Sequence, residues 1–290
     1  MSPTHSGPTH SNTARNGSCE IHYDTFGDPA NPTLLLVNGL GSQCINYQDG
    51  WCELFASHGL QVVRFDNRDV GLSSKFDDAP KGVHGEAYTI SDMAADGFAV
   101  LDELGVEHAH MMGLSMGGMI VQTMAIEHPH RLRTMTSVMS TTGEAAYRKS
   151  TPRATELLLA PPAIDREGFV QQWVDGLHEW GSPEFADEAR WRADAERAFD
   201  RCFHPGGSTR QYLAVLAGGS RAEKLATVRG PTLVLHGDKD TLIDQIGGRR
   251  TAELIPGARF ELIEGLGHDY PPQLWPQWTD LVVGHIRSHT

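Results

Sequence analysis

Ser115, Asp240 and His268 are residues whose types could together do chemistry. A serine hydroxyl is a weak nucleophile until a base takes its proton. A histidine can be that base, and a carboxylate bonded to its other ring nitrogen holds the tautomer. Ser115 stands in Gly113-Leu114-Ser115-Met116-Gly117-Gly118, a Gly-x-Ser-x-Gly pattern. That pattern suits a sharp turn from strand to helix, a nucleophile elbow. At the tip of so tight a turn the backbone is strained, and side chains at the neighbouring glycine positions would collide with strand or helix. Alone, the pattern is short enough to arise in ordinary glycine turns. Its flanks strengthen it: Ala109–Met112 is a short apolar run, and the apolar residues after Gly117 continue as a helix until His128 and Pro129.

Stepping outward along the chain, strand-like and helix-like stretches alternate. Cys19–Phe26 alternates apolar and polar residues, as a half-buried strand does. Thr33–Val37, Gln61–Phe65, Leu132–Met139, Thr232–His236 and Arg259–Ile263 are runs of strand length. Tyr47–His58, Ile90–Leu104, Gly247–Ile255 and Gln273–Arg287 read as helices between or after them. This alternation predicts an α/β fold with a mostly parallel sheet. In such sheets, ligands bind beyond the carboxyl ends of the strands. Ser115, Asp240 and His268 all follow such ends, and so does Asn38-Gly39-Leu40, which can aim backbone N–H groups at a developing oxyanion.

The alternation breaks between Gly143 and Gly230. Pro152–Leu159, Asp165–Trp180, Pro183–Phe203 and Ser208–Leu216 read there as helices rich in aromatic residues, including Phe169, Trp173, Trp180, Phe185, Trp191 and Phe199. These aromatics fill a helical core, cover the site, or divide between the two roles. The expected division is a flexible polar tail over 1–17, an α/β core over 18–143 and 227–290, and a helical cap over 144–226. The cap is expected to leave and return at the sheet edge where Ser115 is presented.

Composition narrows the function. The chain has 290 residues, is 39% hydrophobic and carries a formal net charge of −13. That charge argues against nucleic acid or an anionic membrane surface as a partner. No apolar run approaches the length of a membrane span, and the N-terminus has no apolar segment of a secretory signal. Cytoplasmic residence is the expectation. Cys19, Cys44, Cys52 and Cys202 include no Cys-x-x-Cys pair, and the His108/His110 and His128/His130 pairs have no completing ligands, so no metal or cofactor is expected. Gly39-x-Gly41 after a strand invites a dinucleotide reading, but Cys44 stands where a third glycine is needed, and Thr151 rather than lysine follows Tyr147 at the dehydrogenase spacing.

The stretches Leu34–Gly41, Val63–Ser73, Gly113–Gly118, Pro231–Asp240 and Gly265–His268 resemble the α/β-hydrolase fold superfamily. Within it the chain is similar to the esterase-like group that includes aclacinomycin methylesterases. The order serine, acid, histidine is that family's order. The resemblance implies an α/β-hydrolase fold with an inserted helical cap, Ser115 as nucleophile, His268 as base and Asp240 as orienting acid. It places the oxyanion N–H groups at Leu40 and Met116. Asp238 is the rival acid, and the family's Gly-x-x-Asp spacing from Gly237 favours Asp240. Asn38 departs from the family's common His-Gly, although the donor there is a backbone group. The loop from Asp66 to Ser73 is expected to brace the region beside the elbow.

The implied activity is hydrolysis of carboxylic esters of small or medium apolar substrates through an acyl-enzyme. Lactonase, methylesterase, perhydrolase and C–C bond hydrolase chemistry use the same three residues, and a non-catalytic small-molecule receptor can share the fold. The expected partner is a small-molecule ester, with the chain a monomer or homodimer.

Overall fold

A computed structural model describes residues 7–289. The strands are β1 (His10–Asn16), β2 (Cys19–Phe26), β3 (Thr33–Val37), β4 (Gln61–Phe65), β5 (Ala109–Leu114), β6 (Leu132–Val138), β7 (Thr232–Gly237) and β8 (Arg259–Ile263). They form one eight-stranded sheet in the order β1-β2-β4-β3-β5-β6-β7-β8. Every pair from β4 to β8 is parallel, while β2 lies antiparallel to β4 and β1 antiparallel to β2. All residues of β3, β4 and β5 are buried. That burial on both faces is why these segments are largely apolar runs rather than alternating patterns.

The helices are α1 (Asp49–Ser57), α2 (Ile90–Glu103), α3 (Met116–Glu127), α4 (Pro152–Leu158), α5 (Arg166–Trp180), α6 (Glu188–Arg201), α7 (Gly206–Gly218), α8 (Ala222–Leu225), α9 (Ile246–Leu254) and α10 (Trp275–Arg287). One core layer joins Val100 and Leu101 of α2 to Ile120, Val121 and Met124 of α3 and to the sheet. The other joins Trp51 and Phe55 of α1 to Trp278, Val282 and Ile286 of α10. None of the described helices is long and apolar enough to cross a membrane.

The expected polar tail over 1–17 is corrected by the structure. His10–Asn16 is a strand at the sheet edge, paired with β2 in register from His10–Thr25 to Asn16–Cys19. Gly17 makes the turn at φ 59. Ala14 is the single buried residue of β1, so the strand has no apolar alternation to read. Residues 1–6 lie outside the described residues.

Helices α4 to α7 lie between β6 and β7. This inserted segment closes on itself: the Arg221 N–H donates to the Thr142 carbonyl at 2.8 Å. Gly143 lies so near Gly219 that a Cβ on it would meet the Gly219 carbonyl oxygen at 2.1 Å. Both ends therefore meet where β6 ends. Because β6 and β7 are parallel, the chain must still cross to the amino end of β7. Helix α8 lies in that crossing, packed on α3 and α9 with Leu225 fully buried. The backbone bond that draws the two ends of the insertion together thus lies between Thr142 and Arg221. The helix expected over Pro183–Phe203 is interrupted: a 3-10 turn covers Pro183–Phe185, and the Asp187 side chain caps the start of α6. Phe169, Phe199 and Phe203 pack on one another, with ring centroids 4.5 to 6.0 Å apart.

Candidate active site

Ser115 joins β5 to α3 at φ 55 and ψ −117. A residue with a side chain rarely adopts such a positive φ, and it persists only where its surroundings impose it. Here they do. The Ser115 N–H donates to the Val138 carbonyl at 2.9 Å. Its carbonyl accepts from the Ser140 hydroxyl at 2.8 Å. A Cβ on Gly113 would meet the Gly117 carbonyl oxygen at 2.1 Å, and one on Gly117 would meet the Val37 carbonyl oxygen at 2.1 Å. The two glycines thus let β3, β5 and the first turn of α3 pack backbone against backbone. Ser115 itself is half-buried.

Met116 opens α3, so its N–H is one of the first-turn donors with no acceptor inside the helix. Leu40 comes from the loop after β3, which abuts the elbow: a Cβ on Gly39 would lie 3.3 Å from the Ser115 Cβ. Asn38 is buried and braces that loop from within, its amide donating to the Gln43 carbonyl at 3.0 Å. The loop after β4 adds a second brace, with the Asn67 amide donating to the Asn38 carbonyl at 3.1 Å.

Asp240 and His268 follow β7 and β8 and meet directly. His268 Nδ1 and Asp240 Oδ2 are 2.7 Å apart. The other carboxylate oxygen accepts from the N–H groups of Leu242 and Ile243 at 2.9 and 2.8 Å. His236 Nε2 donates to the Ile243 carbonyl at 2.7 Å and lies 3.3 Å from Asp240 Oδ2. Burial would push the Asp240 carboxyl up, but the two imidazoles outweigh it and bring it down to about 2. The rival Asp238 does other work: it accepts from the Gly265 N–H at 2.6 Å and from Lys239 at 2.9 Å, bracing the turn after β8.

The His268 loop is also gripped from the inserted segment. The His268 N–H donates to the Trp180 carbonyl at 2.5 Å. The Gly267 N–H donates to the Ser182 hydroxyl oxygen at 2.9 Å. Ser182 in turn donates through its N–H at 3.0 Å, and through its hydroxyl, to Asp269. Burial pushes the Asp269 carboxyl up, and the Ser182 bonds oppose that shift. A Cβ on Gly267 would meet the Trp180 carbonyl oxygen at 2.3 Å, which is why glycine precedes His268.

Five residues were thus named from sequence. The structure joins Asp240 to His268 and seats the Leu40 loop against Ser115. Sequence reasoning did not find Ser140, Ser182, His236 or Asp269. Only two carried a local signal: Asp269 adjoins His268, and His236 ends the strand before Asp240. The donor atoms of His22, Cys44 and Asp66 lie within 4.8 Å of one another. Asp66 already accepts from the N–H groups of Cys44 and Leu72 at 2.6 and 2.8 Å, and the Arg201 guanidinium sits on it at 2.8 Å. That cation opposes a metal ion at the same place.

A model of the alpha/beta hydrolase fold matches residues 32–270. The chain is 30% identical to the rhodomycin D methylesterase DauP of Streptomyces sp. (strain C5), over 91% of this chain and 94% of the other. It is 28% identical to a putative carbamate hydrolase, RutD, of Azorhizobium caulinodans, over 93% of this chain and 96% of the other. Among solved structures it resembles the enol-lactonase of Burkholderia xenovorans LB400, with a TM-score of 0.76 and 24% identity, covering 95% of this chain and 100% of that one.

Proposed function

The chain belongs to the alpha/beta hydrolase fold family, and from that premise we propose that it is a serine hydrolase cleaving carboxylic esters of small or medium apolar substrates through an acyl-enzyme. The observation that carries the reading is the buried His268–Asp240 pair at 2.7 Å. With Nδ1 donating to the carboxylate, Nε2 keeps its lone pair and can act as base. Nε2 takes the proton of the Ser115 hydroxyl as its oxygen attacks the ester carbonyl. The Leu40 and Met116 N–H groups stabilise the tetrahedral oxyanion. On collapse, the alcohol leaves with the proton from His268 and the acyl group stays on Ser115. Water, deprotonated by His268, then attacks the acyl-enzyme, and the carboxylic acid leaves as the serine regains its proton. The net reaction is ester plus water to acid plus alcohol.

Asp240 stabilises the imidazolium that forms twice in this cycle. A carboxyl held down at about 2 stays ionised across the working range of a histidine base. The rhodomycin D methylesterase relative makes a methyl ester a natural member of the substrate panel.

The experiment is turnover of aliphatic esters, polyketide methyl esters and lactones by the wild type and by Ser115→Ala. Ser115→Ala should lose about a thousandfold or more in kcat, since the three residues act as a unit. Its thermal unfolding should be unchanged. A phosphonate should add its mass at Ser115. Labelling at Ser140 instead would move the nucleophile. Ligand binding without multiple turnover would make the protein a receptor.

A further inference from the structure

Gln211, on α7 of the inserted segment, has its side chain fully buried. Its Oε1 accepts from the Gly41 N–H at 2.8 Å, and its Nε2 donates to the Arg68 carbonyl at 2.9 Å. One amide from the insertion therefore ties together the loops that leave the neighbouring strands β3 and β4. The bond to Gly41 acts on the peptide unit next to Leu40.

That peptide needs outside support. Glycines flank Leu40 at 39 and 41, and Gly41 is held at φ 68. Glycine-flanked backbone does not set its own orientation. An oxyanion donor is useful only if its N–H points at the place where charge develops, within about 3 Å of it. Fixing the Leu40–Gly41 peptide plane restricts the Leu40 backbone and with it the aim of the Leu40 N–H.

Helix α7 is itself anchored, so Gln211 presses from a firm base. Arg210 forks onto Asp69 at 2.9 and 2.8 Å. Gly207 comes so close that a Cβ would lie 2.0 Å from the Asp69 carbonyl oxygen. Ser208 packs on Gly41, where a Cβ would lie 3.3 Å from the Ser208 Cβ. Asp69 has φ 73, a left-handed conformation that these contacts hold in place.

We propose that Gln211 is a positioning residue that aims the Leu40 N–H at the oxyanion, so that the inserted segment helps set the rate. The inference rests on the ester-hydrolase reading. Its test compares wild type with Gln211→Met, which removes both bonds at similar volume, and Gln211→Glu, which keeps an acceptor for the Gly41 N–H. Each is assayed for kcat and KM on one good ester, affinity for a trifluoromethyl ketone that forms a tetrahedral adduct, affinity for the acid product, and hydrogen exchange of a peptide spanning residues 38–46.

Displacing an oxyanion donor should cost less than deleting one, so Gln211→Met is expected to lose about 10- to 100-fold in kcat with little change in KM. The ketone should weaken by a similar factor and the product should not, because only the former makes the oxyanion contact. Exchange at 38–46 should speed up, and Gln211→Glu should sit nearer to wild type. Unchanged kcat, a loss confined to KM, or equal weakening of ketone and product would overturn the inference. If Gln211→Met does not fold, Gln211→Asn, too short to span both loops, takes its place in the same comparison. If the wild type neither turns over esters nor takes phosphonate at Ser115, the hydrolase reading falls and this inference with it. If the wild type does both and the Gln211 variants match it, this inference falls alone.

Discussion

The turn carrying Ser115 and the loops carrying Leu40 and His268 are held by different parts of the molecule. The elbow is a core structure: its N–H bonds to Val138, its carbonyl takes the Ser140 hydroxyl, and its glycines let it press on β3. The loops bearing Leu40 and His268 are gripped across a boundary, by Gln211 in one case and by Trp180 and Ser182 in the other. The proposed nucleophile therefore stands on backbone packing that leaves no side-chain choice, whereas the loops of the proposed base and oxyanion donor are held by groups of an insertion. Changes in the insertion can alter activity without touching the elbow.

The sharpest way to break this contrast is at the elbow. Gly117→Ala puts a Cβ 2.1 Å from the Val37 carbonyl oxygen and 2.7 Å from that of Asn38. Backbone cannot give way as a flexible side chain can, so destabilisation of at least about 3 kcal/mol is expected, with activity lost alongside folding. Denaturant unfolding measures it. A Gly117→Ala protein of near wild-type stability would mean that the elbow is less constrained than its contacts require.

A narrower effect, on activity without loss of the fold, is expected at the proposed acid. Asp240→Asn should lose about 10,000-fold in kcat by favouring the wrong tautomer of His268. Asp238→Asn should lose far less, since Asp238 is taken up by the Gly265 N–H and Lys239. Steady-state kinetics on both variants decide it, and the reverse ranking would transfer the role to Asp238.

The smallest effect is expected at the boundary. Ser182→Ala removes the acceptor for the Gly267 N–H and a donor to Asp269. An unpaired buried donor costs about 1–3 kcal/mol. The pH dependence has a definite sign. Losing bonds that favour the ionised form raises the Asp269 carboxyl further in the folded variant. The linked part of the stability deficit is then full where the carboxyl is ionised in both proteins, shrinks as pH falls from the variant's value to the lower wild-type one, and is gone below it. Thermal melts across the acid range test this, and a deficit that grew on acidification would contradict the assigned role of Asp269.

Sequence alone was enough wherever the determinant was local. Apolar runs of strand length specified β3, β4 and β5, because strands buried on both faces admit little else. Gly113 and Gly117 announced the elbow, since a tight strand-to-helix turn cannot carry side chains there. The strand ends marked Asp240 and His268 as neighbours. Other features needed the tertiary structure. β1 was unreadable because one residue, Ala14, faces the core, so its pairing rests on backbone bonds that no side-chain pattern reports. The spacing from Gly237 favoured Asp240 over Asp238, but what Asp238 does instead, accepting from the Gly265 N–H, is visible only once β7 packs against β8. Gln211 meets Gly41 across 170 residues of chain, and Ser182 meets Gly267 across 85. A polar residue on a helix or in a loop looks the same in sequence whether it faces water or another loop, because hydrogen bonds across the fold leave no period in the sequence. Local physics wrote the turn at Ser115 into the chain, and long-range packing decided what holds the loops around it.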